Sequence, residues 1–462
     1  MEQERNPQYR RKPAGPQRRR RRSRKKIRRQ RRILMLLILL VLVGLILALS
    51  MCGQFNDNSS TGGTTLNQET GEPTNPVPVT EESRMTICVM GDMMAHSPII
   101  TSADRGNGKY SFEDDFAYIA PYVQSADFAV ANLETTLAGN QNGYEYAGYP
   151  NFNCPDAMVT ALKNAGFDML LTANNHSNDT GADGMLRTVQ VVRDKGLLAL
   201  GVTETPEEPH YLIQDIQGIS VGMICYTYGV IDEDGTKATN LWPVENSMNS
   251  CINVFDPDHP DAFYTEMTQY VSEIRAKGAD TIMLFIHWGK EYRLIPNAQQ
   301  KTMAQKLCNM GVDVIVGSHP HVIQPIDLLT SATDPDHKTL CIYSLGNALS
   351  NQRAERSELD TGHTEDGLLI KMTFVKYTDG SVYLDSVEAL PTWVYIRYGD
   401  VYRSYDILPL DMSVSDWKSA LNIGNTNLEY AKASYQRTMD QIASGLAEVE
   451  AYLAEQRAIR PK

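Results

Sequence analysis

The sequence predicts an α/β domain whose sheets are covered by helices on both faces. Two observations carry this. Between Met85 and about Thr392 the chain alternates short, nearly continuous apolar runs with segments whose apolar residues recur at helical spacing. A strand that is apolar on both sides of its pleat must be covered on both faces, and helices joining successive strands supply the cover. With 462 residues, 42% of them hydrophobic, the chain can bury a full core.

The N-terminal part is different in kind. Residues 1–32 hold 16 Lys or Arg, Arg18 to Arg22 among them, against only Glu2 and Glu4. The remainder holds 27 basic and 54 acidic side chains, a balance of −27 that the whole-chain figure of −13 conceals. Ile33 to Leu49 are 17 apolar residues without interruption, and Ser50 to Gly53 extend them without charge. Such a run is long enough to span a bilayer. Its basic flank predicts a cytoplasmic tail (1–32), a single-pass anchor (33–53) in the cell membrane and an extracellular remainder.

A cleaved signal peptide is the competing reading, through Ala48-Leu49-Ser50, but a 32-residue basic region before the apolar run favours an uncleaved anchor. Bulky Met51 before Cys52 argues against a lipoprotein. Beside a membrane span, the basic tail is explained by topology and attraction to anionic lipid, so no nucleic-acid partner is expected. Residues 54–84 are nearly all Asn, Ser, Thr, Gly, Glu and Pro, the composition of a flexible linker.

From Met85 the elements follow in order. Strands are predicted at Met85–Met90, Phe128–Ala131, Met169–Thr172, Leu197–Leu200, Ile219–Tyr226, Thr281–Ile286 and Val312–Val316. Between the second and third, Met158, Ala161, Leu162 and Ala165 mark a helix, with Pro155 at its start and Gly166 at its stop. Further helices are expected at Gly184–Lys195, Phe263–Lys277 and Gln299–Met310. After Leu340 the links shorten, and strands at Leu340–Tyr343, Leu368–Phe374 and Val382–Val387 suggest a second sheet packed on the first. The globular domain is placed at 85–395 and a helical C-terminal extension at 396–462, with Leu428–Gln456 as one or two packing helices. Cys88, Cys225 and Cys341 sit inside apolar runs, which favours buried free thiols over a disulfide framework.

Six of the apolar runs end in polar loops. These are Gly91-Asp92 with His96 beyond it, Asn132-Leu133-Glu134, Asn174-Asn175-His176, His287-Trp288-Gly289, Ser318-His319-Pro320-His321 and Ser344-Leu345-Gly346-Asn347. In an open sheet, loops at the carboxyl ends of strands converge on one edge. The convergent set is Asp92, His96, Glu134, Asn175, His176, His287, His319 and His321. Imidazole nitrogen mixed with carboxylate and amide oxygen suits Zn, Mn or Fe and is poor for Ca or Mg alone. Such a set is too large for one tetrahedral zinc, so two divalent metal ions sharing a bridging carboxylate fit better. Duller readings exist for each residue: Asp92 as a turn cap, Asn175 as a turn residue, His287 as a core histidine, His96 as an exposed loop histidine. His210, His259, His337 and His363 lie in polar or Pro-containing loops and receive no role.

In their order, these segments resemble the CapA family of poly-gamma-glutamate (capsule) synthesis proteins, whose domain is similar to calcineurin-like metallophosphoesterases. The resemblance runs from about Met85 to Val394. It implies a metallophosphoesterase-like αββα sandwich of two packed mixed sheets. By the same resemblance Asp92 and His96 hold a first metal, Glu134 bridges, Asn175, His287 and His319 hold the second, and His321 returns to the first. His176 becomes the general acid or transition-state stabiliser. Two departures stand out: three residues separate Asp92 from His96 where the pattern expects one, which puts His96 in doubt, and Glu134 replaces a bridging Asp, which adds one methylene of reach.

The implied chemistry is metal-assisted hydrolysis, with Glu291, Ser344 and Asn347 supporting the ligands or touching substrate. Three functions remain open: an envelope protein of capsule polymer synthesis or export with an active dinuclear site, a hydrolase acting on an unrelated envelope substrate, and a non-catalytic scaffold. Expected partners are the membrane, other polymer-synthesis membrane proteins and an anionic envelope polymer. The −27 balance counts against an extended basic groove for such a polymer.

Overall fold

The computed structural model describes residues 78–356 and 360–460. The expected tail 1–32, the anchor 33–53 and the linker as far as residue 77 lie outside the described residues. Among the described residues no helix is long and apolar enough to cross a membrane.

The strands are β1 (Glu81–Met93), β2 (Phe128–Leu133), β3 (Met169–Leu171), β4 (Leu198–Leu200), β5 (Tyr211–Ile216) and β6 (Ile219–Tyr228). A small separate sheet follows, of β7 (Val230–Ile231), β8 (Lys237–Thr239) and β9 (Trp242–Pro243). Next come β10 (Val254–Phe255), β11 (Thr281–His287), β12 (Val314–Ser318), β13 (Ile326–Thr330) and β14 (Lys338–Ile342). The last are β15 (Asn347–Leu349), β16 (Asp366–Tyr377), β17 (Val382–Tyr398) and β18 (Arg403–Pro409). One large sheet has the order β18-β17-β16-β1-β2-β3-β4, with β15 beside β1; the other has the order β10-β6-β11-β12-β14-β13, with β5 beside β6. Both are mixed: the first is parallel from β1 to β4 and antiparallel from β1 to β18, and the second has a parallel centre with β5 and β13 antiparallel at its margins.

Burial explains the layering. On β11 every residue is buried, with Met283 and Phe285 in the core between the sheets and Ile282, Leu284 and Ile286 against helices Asp261–Ala276 and Ala298–Asn309. On β1, Ile87 and Val89 likewise face the second sheet, while Cys88 and Met90 face the helices on the outer side. The period-two alternation of two apolar faces yields four layers, helices, sheet, sheet and helices. All six cysteines among the described residues are free and buried.

Two expectations are corrected. Of the strands expected from Leu340 on, only the first, β14, lies in the second sheet: apart from the small sheet, β5, β6 and β10 to β14 build it, and β15 to β18 return to the first. That return is made by β16, which pairs antiparallel with β1 from Glu81 opposite Tyr377 to Met90 opposite Leu369. Strand lengths also differ. β1 starts at Glu81 rather than Met85, and β17 continues past Val387 to Tyr398, through the expected 395/396 boundary. The β1 extension, Glu81-Glu82-Ser83-Arg84, has no apolar residue, and that of β17 is interrupted by Glu388, Pro391 and Thr392.

The C-terminal segment is one helix, Asn425–Ile459, packed on β13, β16 and β17. Its Ile442, Val449 and Leu453 complete the core between the sheets. Its contact with β13 is close enough that a Cβ on Gly445 would lie 1.8 Å from the Ile326 carbonyl oxygen. Backbone cannot give way there as a side-chain tip can. Gly445→Ala is therefore expected to lose about 1–3 kcal/mol of stability by urea unfolding, and an unchanged midpoint would contradict this packing.

Candidate metal centre

The carboxyl ends of parallel strands from both sheets bring the predicted loops together. Asp92 lies near the end of β1, Glu134 just after β2, Asn175 after β3, His287 at the end of β11, and His319 and His321 just after β12. Close backbone approach is needed at two points. A Cβ on Gly91 would sit 2.0 Å from the Gly346 carbonyl oxygen, and one on Gly317 would sit 2.0 Å from that of Tyr343. His319 and His321 both have positive φ, 93° and 56°, a conformation L-residues adopt at a cost.

The donor atoms form three groups, each with its atoms within 4.8 Å of one another: Asp92, Glu134 and His321; Glu134, His287 and His319; and Glu291, His319 and His321. Glu134 belongs to the first two. Asp92 Oδ2 lies 3.1 Å from His321 Nδ1, and Glu134 Oε1 lies 3.6 Å from His287 Nε2 and 3.8 Å from His321 Nε2. Asn175 Oδ1 is 2.8 Å from His287 Nε2, which puts it in the second group's half of the site. Among the described residues, two buried atoms here have no hydrogen-bond partner, Glu134 Oε1 and His319 Nδ1. Both lie where they could ligate a cation, and buried polar atoms are otherwise nearly always satisfied.

His96 falls in none of the three groups. Its Nδ1 accepts the Asn351 backbone N–H at 3.3 Å, and its ring packs edge-on against Phe152. With Tyr149, His176, Glu291, Tyr292, His321 and Gln352 it lines a cleft of about 230 Å³ over the donors. Ser344 and Asn347 lie behind the site. Ser344 Oγ accepts the Gly346 N–H, Gly346 O accepts the Asp92 N–H, and Asn347 donates to Gln352 and to the Thr364 carbonyl.

Residues 86–352 match the family model described as "Bacterial capsule synthesis protein PGA_cap". The chain belongs to this family. It is 28% identical over 297 residues to the capsule biosynthesis protein CapA of Bacillus anthracis, a match covering 63% of this chain and 66% of that one. Identity to the PGA biosynthesis protein CapA of Bacillus subtilis is 27% over 239 residues, covering 51% and 57%. The chain thus matches somewhat less than two thirds of each relative's length. A Staphylococcus aureus chain provisionally named a 5'-nucleotidase, solved with alpha-ketoglutarate, aligns over 77% of this chain and 58% of its own at 13% identity, with a TM-score of 0.40.

Within this capsule-synthesis domain, four residues to which the sequence assigned no role organise the site. Asn132 Nδ2 donates to Asp92 Oδ1 at 2.8 Å and stands 3.4 Å from both Glu134 Oε2 and His287 Nδ1. Asn174 donates to the Leu133 carbonyl and accepts the His176 N–H. Ser318 Oγ lies 2.9 Å from His287 Nδ1. Asp179 Oδ2 is 2.7 Å from His176 Nδ1 and also accepts the Phe152 N–H. Signals were present: an amide inside the otherwise apolar run Phe128–Leu133, and an acid three residues after His176.

Electrostatics sharpen the picture. Burial, with the Asp92 charge beside it, pushes the Glu134 carboxyl far above the ordinary range. Burial and the neighbouring imidazoles hold His287 and His319 well below theirs, so both are neutral and able to donate lone pairs. Among the described residues no Lys or Arg pairs with Asp92 or Glu134. Removing a charge from water costs several kcal/mol even after relaxation, so Glu134 favours its protonated form alone and a bound cation would favour its ionised one. Donor set, orphan atoms and electrostatics all fit a divalent metal. Chelator treatment of the purified protein is expected to lower its melting temperature by several degrees, since a ligand at a hundred times its Kd stabilises by about 2.7 kcal/mol. An unchanged transition together with no metal by mass spectrometry would contradict the metal reading.

Proposed function

We propose that the chain is a membrane-anchored, extracellular member of the capsule polymer machinery whose domain is a metallophosphoesterase-like, dinuclear hydrolase. The observation that carries this is the place of Glu134 in two donor groups at once. Asp92, Glu134 and His321 would hold one ion, and Glu134, Asn175, His287 and His319 the other. Bound there, Mn, Zn or Fe would polarise a substrate oxygen and supply hydroxide near neutral pH. His96 faces the cleft as a substrate contact.

The chain's own residues do the rest. Asp179 orients His176 through Nδ1, which leaves Nε2 on the cleft side to give a proton to the leaving oxygen as its ester bond breaks. Neutral Nε2–H of His96, fixed by the Asn351 N–H on Nδ1, offers a second donor across the cleft. Phe152 packs edge-on against both imidazoles, His96 and His176, and keeps their rings apart. The polymer setting rests on family membership and on relatives named for capsule and PGA biosynthesis. Anchoring rests on residues 1–53, and partnership with other polymer-synthesis membrane proteins follows from that placement.

Full-length protein purified with its metal tests the reading on p-nitrophenyl phosphate, bis(p-nitrophenyl) phosphate and poly-gamma-glutamate. His176→Ala is expected to cut kcat by about a hundredfold or more while metal content is kept, and His287→Ala to lose metal. Metal-loaded protein that cleaves none of the three, or a His176→Ala variant at full rate, would contradict a hydrolase.

A further inference from the structure

The small sheet of β7, β8 and β9 brings its tip to the metal centre. Thr239 pairs with Trp242, which leaves Asn240 and Leu241 as a two-residue turn between β8 and β9. Both have positive φ, 46° and 67°, as in a type I′ hairpin turn. Asn tolerates that conformation and such turns favour Gly after it, whereas Leu adopts it at a cost. Packing of the tip's own apolar side chains does not offset the strain, because Leu241 is 86% exposed and Trp242 59%. What the turn does supply is contact with the loop after β3. Asn240 Oδ1 accepts from Asn175 Nδ2 at 3.0 Å, and Asn240 Nδ2 stands 3.4 Å from His176 Nδ1. Asn178, farther along that loop, donates to the Trp242 and Pro243 carbonyls. The hairpin is also held at its base, where Lys237 donates through Nζ to the Ile252 carbonyl at 2.6 Å and through its backbone N–H to Asn249 Oδ1 at 2.7 Å.

The chemistry of an amide gives this contact its consequence. A carboxamide ligates a cation through its oxygen, while its NH2 group offers two hydrogens and no ligand atom. Turning the buried Asn175 side chain over would put the NH2 where Oδ1 now stands, 2.8 Å from His287 Nε2. Asn240 Oδ1 accepts only from a hydrogen. It therefore keeps the Asn175 NH2 on the hairpin side and leaves Oδ1 toward the donors Glu134, His287 and His319. The Tyr228 hydroxyl also bonds Asn175, but a hydroxyl donates and accepts alike and does not choose between the two orientations.

We propose that Asn240 is a positioning residue for the second ion: from the tip of the hairpin it fixes which atom of Asn175 faces the metal. The assignment rests on the dinuclear reading and deepens it, so its test is metal binding rather than turnover. Calorimetric titration of Mn(II) into metal-free full-length protein is expected to give two ions per chain. Asn240→Gly removes the side chain and leaves a residue suited to positive φ, so the metal-free melting curve should hold. One of the two dissociation constants should rise about tenfold or more while the other keeps its value. Asn240→Asp, which still presents an oxygen to the Asn175 NH2, should restore most of that affinity. Leu241→Gly, which relaxes the same turn and leaves Asn240 in place, should change neither constant. Asn240→Gly with both constants at parent values overturns the proposal and leaves the dinuclear reading standing. So does Asn240→Asp binding as weakly as Asn240→Gly, or Leu241→Gly weakening the same ion, since the acceptor oxygen would then not be what counts. Parent protein that takes up fewer than two ions overturns the dinuclear reading, and this assignment with it.

Discussion

Everything around the site follows from the burial of two carboxylates, Asp92 and Glu134, each with no exposed surface, among imidazoles that burial keeps neutral. Among the described residues no guanidinium or ammonium pairs with them. The neighbourhood is built to tolerate that charge: the Asn132 amide bridges toward both acids, and the His319 N–H reaches Asp92 Oδ2 at 3.3 Å. Holding His319 and His321 at positive φ costs on the order of 1–3 kcal/mol each. Such strain persists where the surrounding structure fixes it, and here Gly317 and Gly346 let neighbouring backbones press close enough to do so.

Much of this was readable before any coordinates. Parallel strands buried on both faces announce themselves as unbroken apolar runs, and the polar residue ending each run marks the edge where loops meet. That is why Asp92, Glu134, Asn175, His287, His319 and His321 could be gathered from five distant segments. Sheet membership was less visible, because β16 joins β1 across nearly three hundred residues and no local pattern records that pairing. β17 was cut short because Glu388, Pro391 and Thr392 interrupt its apolar residues. Asp179 was passed over since its part depends on where His176 points, a property of the folded loop rather than of spacing alone. His96 shows the reverse: an attractive place in the sequence, yet a ring held by the Asn351 N–H and Phe152 and outside the three donor groups.

Family membership and site geometry answer different questions. The match across 86–352 places the chain among capsule synthesis proteins, whereas the residues at the strand ends speak to chemistry. Beyond residue 352 the chain adds β16 to β18 and the long helix, and residues of β16 and that helix close the core between the sheets. The acidic balance of everything after residue 32 makes metal ions the natural point of contact for an anionic substrate.

Anomalous X-ray diffraction from crystals of the metal-loaded protein, recorded at the absorption edge of the bound metal, tests the central claim most directly. Two peaks should flank the Glu134 carboxylate, one beside Asp92 and His321 and the other beside His287 and His319. A single peak that Glu134 does not touch, or no peak at all, would contradict the account.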